Sequence, residues 1–310
     1  MITRYRKENG NVMEIPEVVR PLVEMKAEHA FFVGIDSDGC IFDTMEIKHK
    51  ECFTPNAIKY FGLQAVSKYA REAWEFVNLY SKWRGINRWP ALIRVLDLLR
   101  ERPEVQRRGV HIPELPKVRE FIASGVPLSN EELAKRVAQT QDPELAHALA
   151  WSKAVNATIA DIVHDVPPFP WVRESLEYMA ARADIIVVSQ TPTEALVREW
   201  QEHGIDRYAK VIAGQEMGTK SEHIYWATLG KYPEANHKLM IGDAPGDLKA
   251  ARDNHCLFYP INPGHEEESW EQFYKEAMHK FFEGTYGGEY EARLIADFEK
   301  ALPEVPPWKR

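Results

Sequence analysis

The chain has 310 residues, 45% hydrophobic and 28% charged, an ordinary globular composition long enough for one large domain or for one domain carrying a second. A net charge of −8 argues against a nucleic-acid partner, because binding a phosphate backbone needs a basic surface. The three cysteines, Cys40, Cys52 and Cys256, are widely spaced and include no CxxC, which argues against a disulfide framework or a zinc knuckle. The first fifteen residues lack the apolar core of a signal peptide, and no run of about 18 apolar residues could cross a bilayer. The expectation is a cytoplasmic protein with no membrane partner. Its oligomeric state is not legible.

In chain order, residues 17–28 read as a short amphipathic helix limited by Pro21. Residues 31–35 (FFVGI) read as a buried strand that stops at the polar turn DSDG. From about 46 to 166 helical periodicity dominates, with helices expected over 64–83, 90–101, 114–123, 129–140 and 143–164. Asn130 and Asp142 are candidate N-caps, and Pro90 and Pro143 suit first helical turns. Residues 166–170 (VPPFP) break the helical run.

Helices over 171–182, 193–203, 221–230 and 245–254 then alternate with strands over 184–188, 209–213, 238–241 and 256–261. That alternation predicts an α/β fold, a Rossmann-like parallel sheet with helices on both faces. The first strand therefore belongs to a sheet that resumes about 125 residues later, with an all-helical domain inserted after the Asp turn. The expected division is 1–45 with 168–310 for the sheet domain, including a helical extension from about 265, and 46–167 for the insertion.

The chemistry gathers at strand ends, where α/β sheets bind their ligands. Asp36 and Asp38 follow the first strand, and two adjacent buried carboxylates call for a shared cation or proton. An EF-hand loop starting at Asp36 would need its fifth, sixth and twelfth positions filled by Cys40, Ile41 and Ile47, which argues against calcium of that kind. The strand 184–188 runs into Ser189, Gln190 and Thr191. Lys220 opens a helix, and the strand 238–241 runs into GDAPGD, with Asp243 and Asp247. Each alone also reads as a cap or a solvated helix start.

Together, DSDGCIFD (36–43), VVS (187–189), Lys220 and GDAPGD (242–247) resemble the four motifs of the haloacid dehalogenase superfamily, chiefly its phosphohydrolase branch. The helical insertion of about 120 residues resembles that family's C1-type cap, shared with phosphoglycolate phosphatases and β-phosphoglucomutases. The resemblance implies a phosphatase acting on a small phosphorylated metabolite. Asp36 would be the nucleophile, forming an aspartyl-phosphate, and Asp38 the general acid and then base. Ser189 and Lys220 would stabilise the phosphoryl group, helped by backbone N–H groups around Ser37 and Gln190.

A magnesium ion is implied, held by the Asp36 carboxylate, the Asp38 carbonyl and Asp243, with Asp247 acting behind them or through water. An acid at position 38 fits departure of an alkoxide, and so favours phosphoester over carbon–halogen cleavage. Cys40 stands where the family usually has Thr. It reads as a small packed residue, with a catalytic thiol as the alternative.

In the insertion, SKWRGINRWP (81–90) offers Arg84 and Arg88 beside Trp83 and Trp89. The two arginines could grip a substrate carboxylate, phosphate or sugar, or the segment could be a solvated connection. A phosphomutase or phosphotransferase of the same fold, and a non-catalytic binding protein that keeps the fold, remain the alternatives.

Overall fold

The computed structural model describes residues 3–6 and 12–309. Two compact units divide the chain. One takes the chain up to Asp43 together with Pro167–Lys300, and the other takes Thr44–Val166 and the segment from Ala301 on. The final residues thus group with the helical insertion, whereas the sequence pattern assigns them to the sheet domain.

The helical unit is built on α1 (Ser67–Asn78), α2 (Arg88–Glu101), α3 (Pro116–Ala123), α4 (Asn130–Thr140) and α5 (Pro143–Ile162). Its core is aromatic. Trp74, Trp89 and Trp151 are essentially fully buried, and Trp151 meets the other two edge-on at 6.1 and 5.7 Å. Burying such large rings stabilises the helices far more than intrinsic propensity does. The expected helix over 64–83 ends early, at Asn78. Beyond it the Ser81 hydroxyl accepts from Trp83 N–H and turns the chain toward α2. Asn87 caps α2 by accepting from Trp89 N–H, so that helix starts at Arg88.

Ser129, and not Asn130, caps α4, accepting from Glu132 N–H, while Asp142 caps α5 as expected from its sequence. From the C-terminal segment, Trp308 packs edge-on against Phe76 at 5.7 Å and under the Arg102 guanidinium at 4.6 Å. Lys82 pairs with Glu304. These contacts are why the segment groups with the helices.

In the other unit, a two-stranded antiparallel ribbon, β1 (Thr3–Arg6) and β2 (Val12–Ile15), precedes the main sheet. The main sheet has five parallel strands in the order β5 (Val211–Ala213), β4 (Ala183–Val188), β3 (Phe31–Ile35), β6 (Lys238–Gly242), β7 (Leu257–Pro260). All six residues of β4 are buried and all but Asp184 are apolar, as in an interior parallel strand. Helices α6 (Val172–Ala180), α7 (Thr193–Glu202), α8 (Lys220–Thr228) and α9 (Pro245–Asp253) connect the strands.

The chain leaves β3 for β4 and β5 on one side, then crosses to β6 and β7 on the other. Strand order reverses around β3, so the carboxyl ends of β3, β4 and β6 stand side by side at the switch point, the usual ligand position of such sheets. After β7 the chain runs through helical residues 266–282 and then α10 (Glu289–Ala301).

Candidate active site

The site is built at the carboxyl ends of β3, β4 and β6. Asp36 follows β3 directly, and its N–H still donates to the Ile241 carbonyl of β6 at 3.0 Å. The turn behind it is wound tightly. The Ser37 carbonyl accepts from the N–H groups of Cys40, Ile41 and Phe42, and Trp270 Nε1 donates to the Cys40 carbonyl at 2.7 Å. The backbone carrying both acids is fixed before any ligand arrives.

Asp36 is 5% exposed. Its Oδ1 accepts from Ser37 N–H at 2.8 Å, and its Oδ2 accepts from Lys220 Nζ at 2.6 Å. Lys220 is the first residue of α8, whose start is set by a reciprocal cap between Thr219 and Glu222. The same ammonium donates to Asp247 Oδ1, also at 2.6 Å. Asp247 lies in the first turn of α9, where the helix dipole favours an anion, and its Oδ2 accepts from Ala244 N–H at 3.0 Å. Gly242 makes this approach possible, because a Cβ there would stand 2.4 Å from the Asp247 Cβ and Cγ. Asp243, 1% exposed, follows β6. Asp36, Asp243 and Asp247 each bring a carboxylate oxygen within 4.8 Å of the others.

Three carboxylates and one ammonium leave a surplus of negative charge in a buried place. Burial pushes the Asp36 carboxyl well above its ordinary value, and Asp247 and Asp243 push the same way against the pull of Lys220. Asp247 is raised for the same reasons. Burial works against the Lys220 charge, but Asp247, Asp36 and Asp243 outweigh it and hold the ammonium protonated. Such a site wants a further cation. Its donors are all hard oxygens, which fits a magnesium-sized divalent ion.

Asp38 is half-buried, and its Oδ2 accepts the Thr191 hydroxyl at 2.7 Å. Ser189 follows β4, is 2% exposed, and accepts Thr191 N–H on its Oγ at 3.2 Å. The exposed Gln190 lays its amide on the carbonyls of Ser189 and Gly218. Ser37 is turned inward, with Trp200 Nε1 donating to its hydroxyl at 3.0 Å and the hydroxyl reaching Glu199 at 3.3 Å. The Ser37 N–H expected to face a phosphate donates to Asp36 Oδ1.

Cys40 is fully buried, with Sγ 3.8 Å from the Ile241 carbonyl, and burial pushes its thiol well above the ordinary value. It packs as a neutral side chain, not a thiolate nucleophile.

Arg84 and Arg88 belong to the helical unit, and both have partners inside it. Arg84 is 3% exposed and donates to the Leu79 carbonyl at 2.9 Å, bracing the loop before α2. Arg88 donates to Ser152 Oγ at 2.8 Å and Asn156 Oδ1 at 2.7 Å, and lies 5.1 Å over the Phe53 ring. Burial pushes its guanidinium down to about 10.

The residue that pattern reading gave no role is Thr191. Its partner Asp38 is 153 positions away in sequence, so only its place in the polar run after β4 pointed to it.

The model of the haloacid dehalogenase-like hydrolase family matches residues 112–259. That match supports a place in the haloacid dehalogenase-like superfamily. The matched stretch contains Ser189, Lys220, Asp243 and Asp247. It begins after Asp36 and Asp38, which enter the site through β3.

Among solved structures, a β-phosphoglucomutase from Clostridium difficile aligns over 81% of this chain and 96% of its own, at 16% identity and TM-score 0.47. A predicted phosphoglycolate phosphatase from Haemophilus somnus aligns over 75% and 86%, at 14% identity and TM-score 0.44. A haloacid dehalogenase-like family hydrolase from Streptococcus pneumoniae aligns over 78% and 90%, at 16% identity and TM-score 0.41. No curated protein matches the sequence.

Proposed function

We propose that this chain is a haloacid dehalogenase-like phosphohydrolase that transfers the phosphoryl group of a small phosphorylated metabolite to Asp36 and then to water. The observation that carries this reading is the bridge of Lys220 between Asp36 and Asp247, with Asp243 beside them at the end of β6. A buried carboxylate with one oxygen on a backbone N–H and the other on an ammonium is locked in direction, as a nucleophile must be. The helical unit corresponds to the superfamily's C1-type cap.

Asp36 and Asp243, with the Asp38 carbonyl, would hold Mg²⁺. Asp247 acts from behind them, where Lys220 and the Ala244 N–H brace it. When bound, the ion would offset the repulsion between the phosphoryl oxygens and the Asp36 carboxylate. Lys220 stabilises the charge on the transferring group and positions Asp36. The Ser189 hydroxyl donates to a phosphoryl oxygen. Asp38 gives its proton to the departing alkoxide as the ester P–O bond breaks, and the resulting carboxylate then takes a proton from the water that attacks the aspartyl-phosphate.

The test is release of inorganic phosphate from a panel of phosphorylated metabolites, with Mg²⁺ or EDTA, for the wild type and Asp36→Asn. The reading predicts release that EDTA abolishes and Asp36→Asn lowers by at least about 10³-fold. Release unaffected by both would overturn it.

A further inference from the structure

We infer that Thr191 is a positioning residue that aims Asp38 at the leaving group, an assignment that rests on the phosphohydrolase reading above. The backbone of Asp38 is fixed by the turn around the Ser37 carbonyl, but that turn leaves the side-chain torsions open. Thr191 closes them. Its hydroxyl donates to Asp38 Oδ2 at 2.7 Å, a full-strength hydrogen bond.

Thr191 is itself held at both backbone ends. Its N–H donates to Ser189 Oγ at 3.2 Å, and its carbonyl accepts from Gln215 N–H at 3.1 Å. The segment bearing Gln215 comes this close because position 214 is glycine: a Cβ there would lie 2.6 Å from the Thr191 carbonyl oxygen and 2.5 Å from Thr193 N. The hydroxyl therefore hangs from a rigid platform between β4 and β5. It links the acid carried by β3 to the phosphoryl-binding serine at the end of β4.

The consequence is chemical. The hydroxyl bond sets the orientation of the carboxyl group that passes the proton to the leaving alkoxide when the P–O bond breaks. Proton donation matters most for a poor leaving group and little for p-nitrophenolate, which departs without help. Loss of the hydroxyl should therefore harm different esters unequally, which a general loss of structure would not do.

The experiment compares kcat/KM for glycerol 2-phosphate and p-nitrophenyl phosphate in the wild type, Thr191→Val and Thr191→Ser. This quantity reports steps through the first phosphoryl transfer and excludes the later hydrolysis. Thr191→Val keeps the shape and removes the hydroxyl. It should lower kcat/KM for glycerol 2-phosphate on the order of 10- to 100-fold, and for p-nitrophenyl phosphate by no more than about threefold. Thr191→Ser should restore both to within about threefold. Equal losses on the two esters, no loss, or failure of serine to rescue would overturn the inference while leaving the phosphohydrolase reading intact. A wild type that hydrolyses neither ester, nor any member of the metabolite panel, would overturn that reading and this one with it.

Discussion

Charge and close approach, more than any single hydrogen bond, define the centre of this molecule. Asp36 and Asp247 share one ammonium with Asp243 close beside them, and the contact of Asp247 with the end of β6 exists because Gly242 has no side chain. Gly242→Ala should force Asp247 away from Lys220 and cost about 1–3 kcal/mol of stability, with phosphate release lost more than tenfold. Urea denaturation and initial rates check the two effects separately, and unchanged values for both would contradict the packing argument. The strand-tip acids, Ser189 and Lys220 were legible in sequence because each ends an apolar run or opens a helix. The pairing of Thr191 with Asp38 was not, because its geometry is set by the packing of β3 beside β4 across 153 positions. Nor was the inward turn of Ser37, which depends on Trp200 of α7.

Elements were legible where apolar patterning is strong, and their ends were not. The buried strand β4 and the long helix α5 follow their patterns closely, while α1 stops short and α2 and α4 take their caps from Asn87 and Ser129. End positions are decided by local side-chain contacts that periodicity does not encode. Two buried groups tie elements together and make predictions.

At the start of β4, fully buried Asp184 accepts from the N–H groups of Glu28 and His29, from Tyr232 OH at 2.6 Å and from Lys210 Nζ at 2.7 Å. Asp184→Ala should cost about 3 kcal/mol in chemical denaturation, since it leaves the Tyr232 hydroxyl and the N–H groups of Glu28 and His29 without their acceptor. A loss well under 1 kcal/mol would contradict that role.

On α8, burial, aided by Lys220, pushes fully buried His223 down to about 4 from an ordinary 6.5. The unfolded chain therefore takes up this proton near pH 6.5 and the folded chain only near pH 4. Stability is intact above that window, falls as pH drops through it, and levels off below it, by about 3 kcal/mol in all. Melting curves of His223→Leu should be flatter over this range than those of the wild type; parallel curves would rule the histidine out as the cause.

At the scale of the whole molecule, the chain assembles its candidate site from segments on both sides of a long insertion. Asp36 and Asp38 come before it, and Ser189, Lys220, Asp243 and Asp247 after it. That arrangement was legible from the alternation of strands and helices after residue 170. The partition of the C-terminal segment was not, because Trp308 finds its place through Phe76 and Arg102, far away in sequence and on no repeating pattern.

The central claim, that Asp36 accepts the phosphoryl group, is tested most directly by acid-quenching the wild type during turnover with Mg²⁺ and mapping the phosphorylated peptide by mass spectrometry. The account predicts a phosphoryl group on Asp36 that appears within the first turnover and is absent from Asp36→Asn. Turnover by Asp36→Asn at the wild-type rate, or a phosphoryl group trapped on another residue, would contradict it.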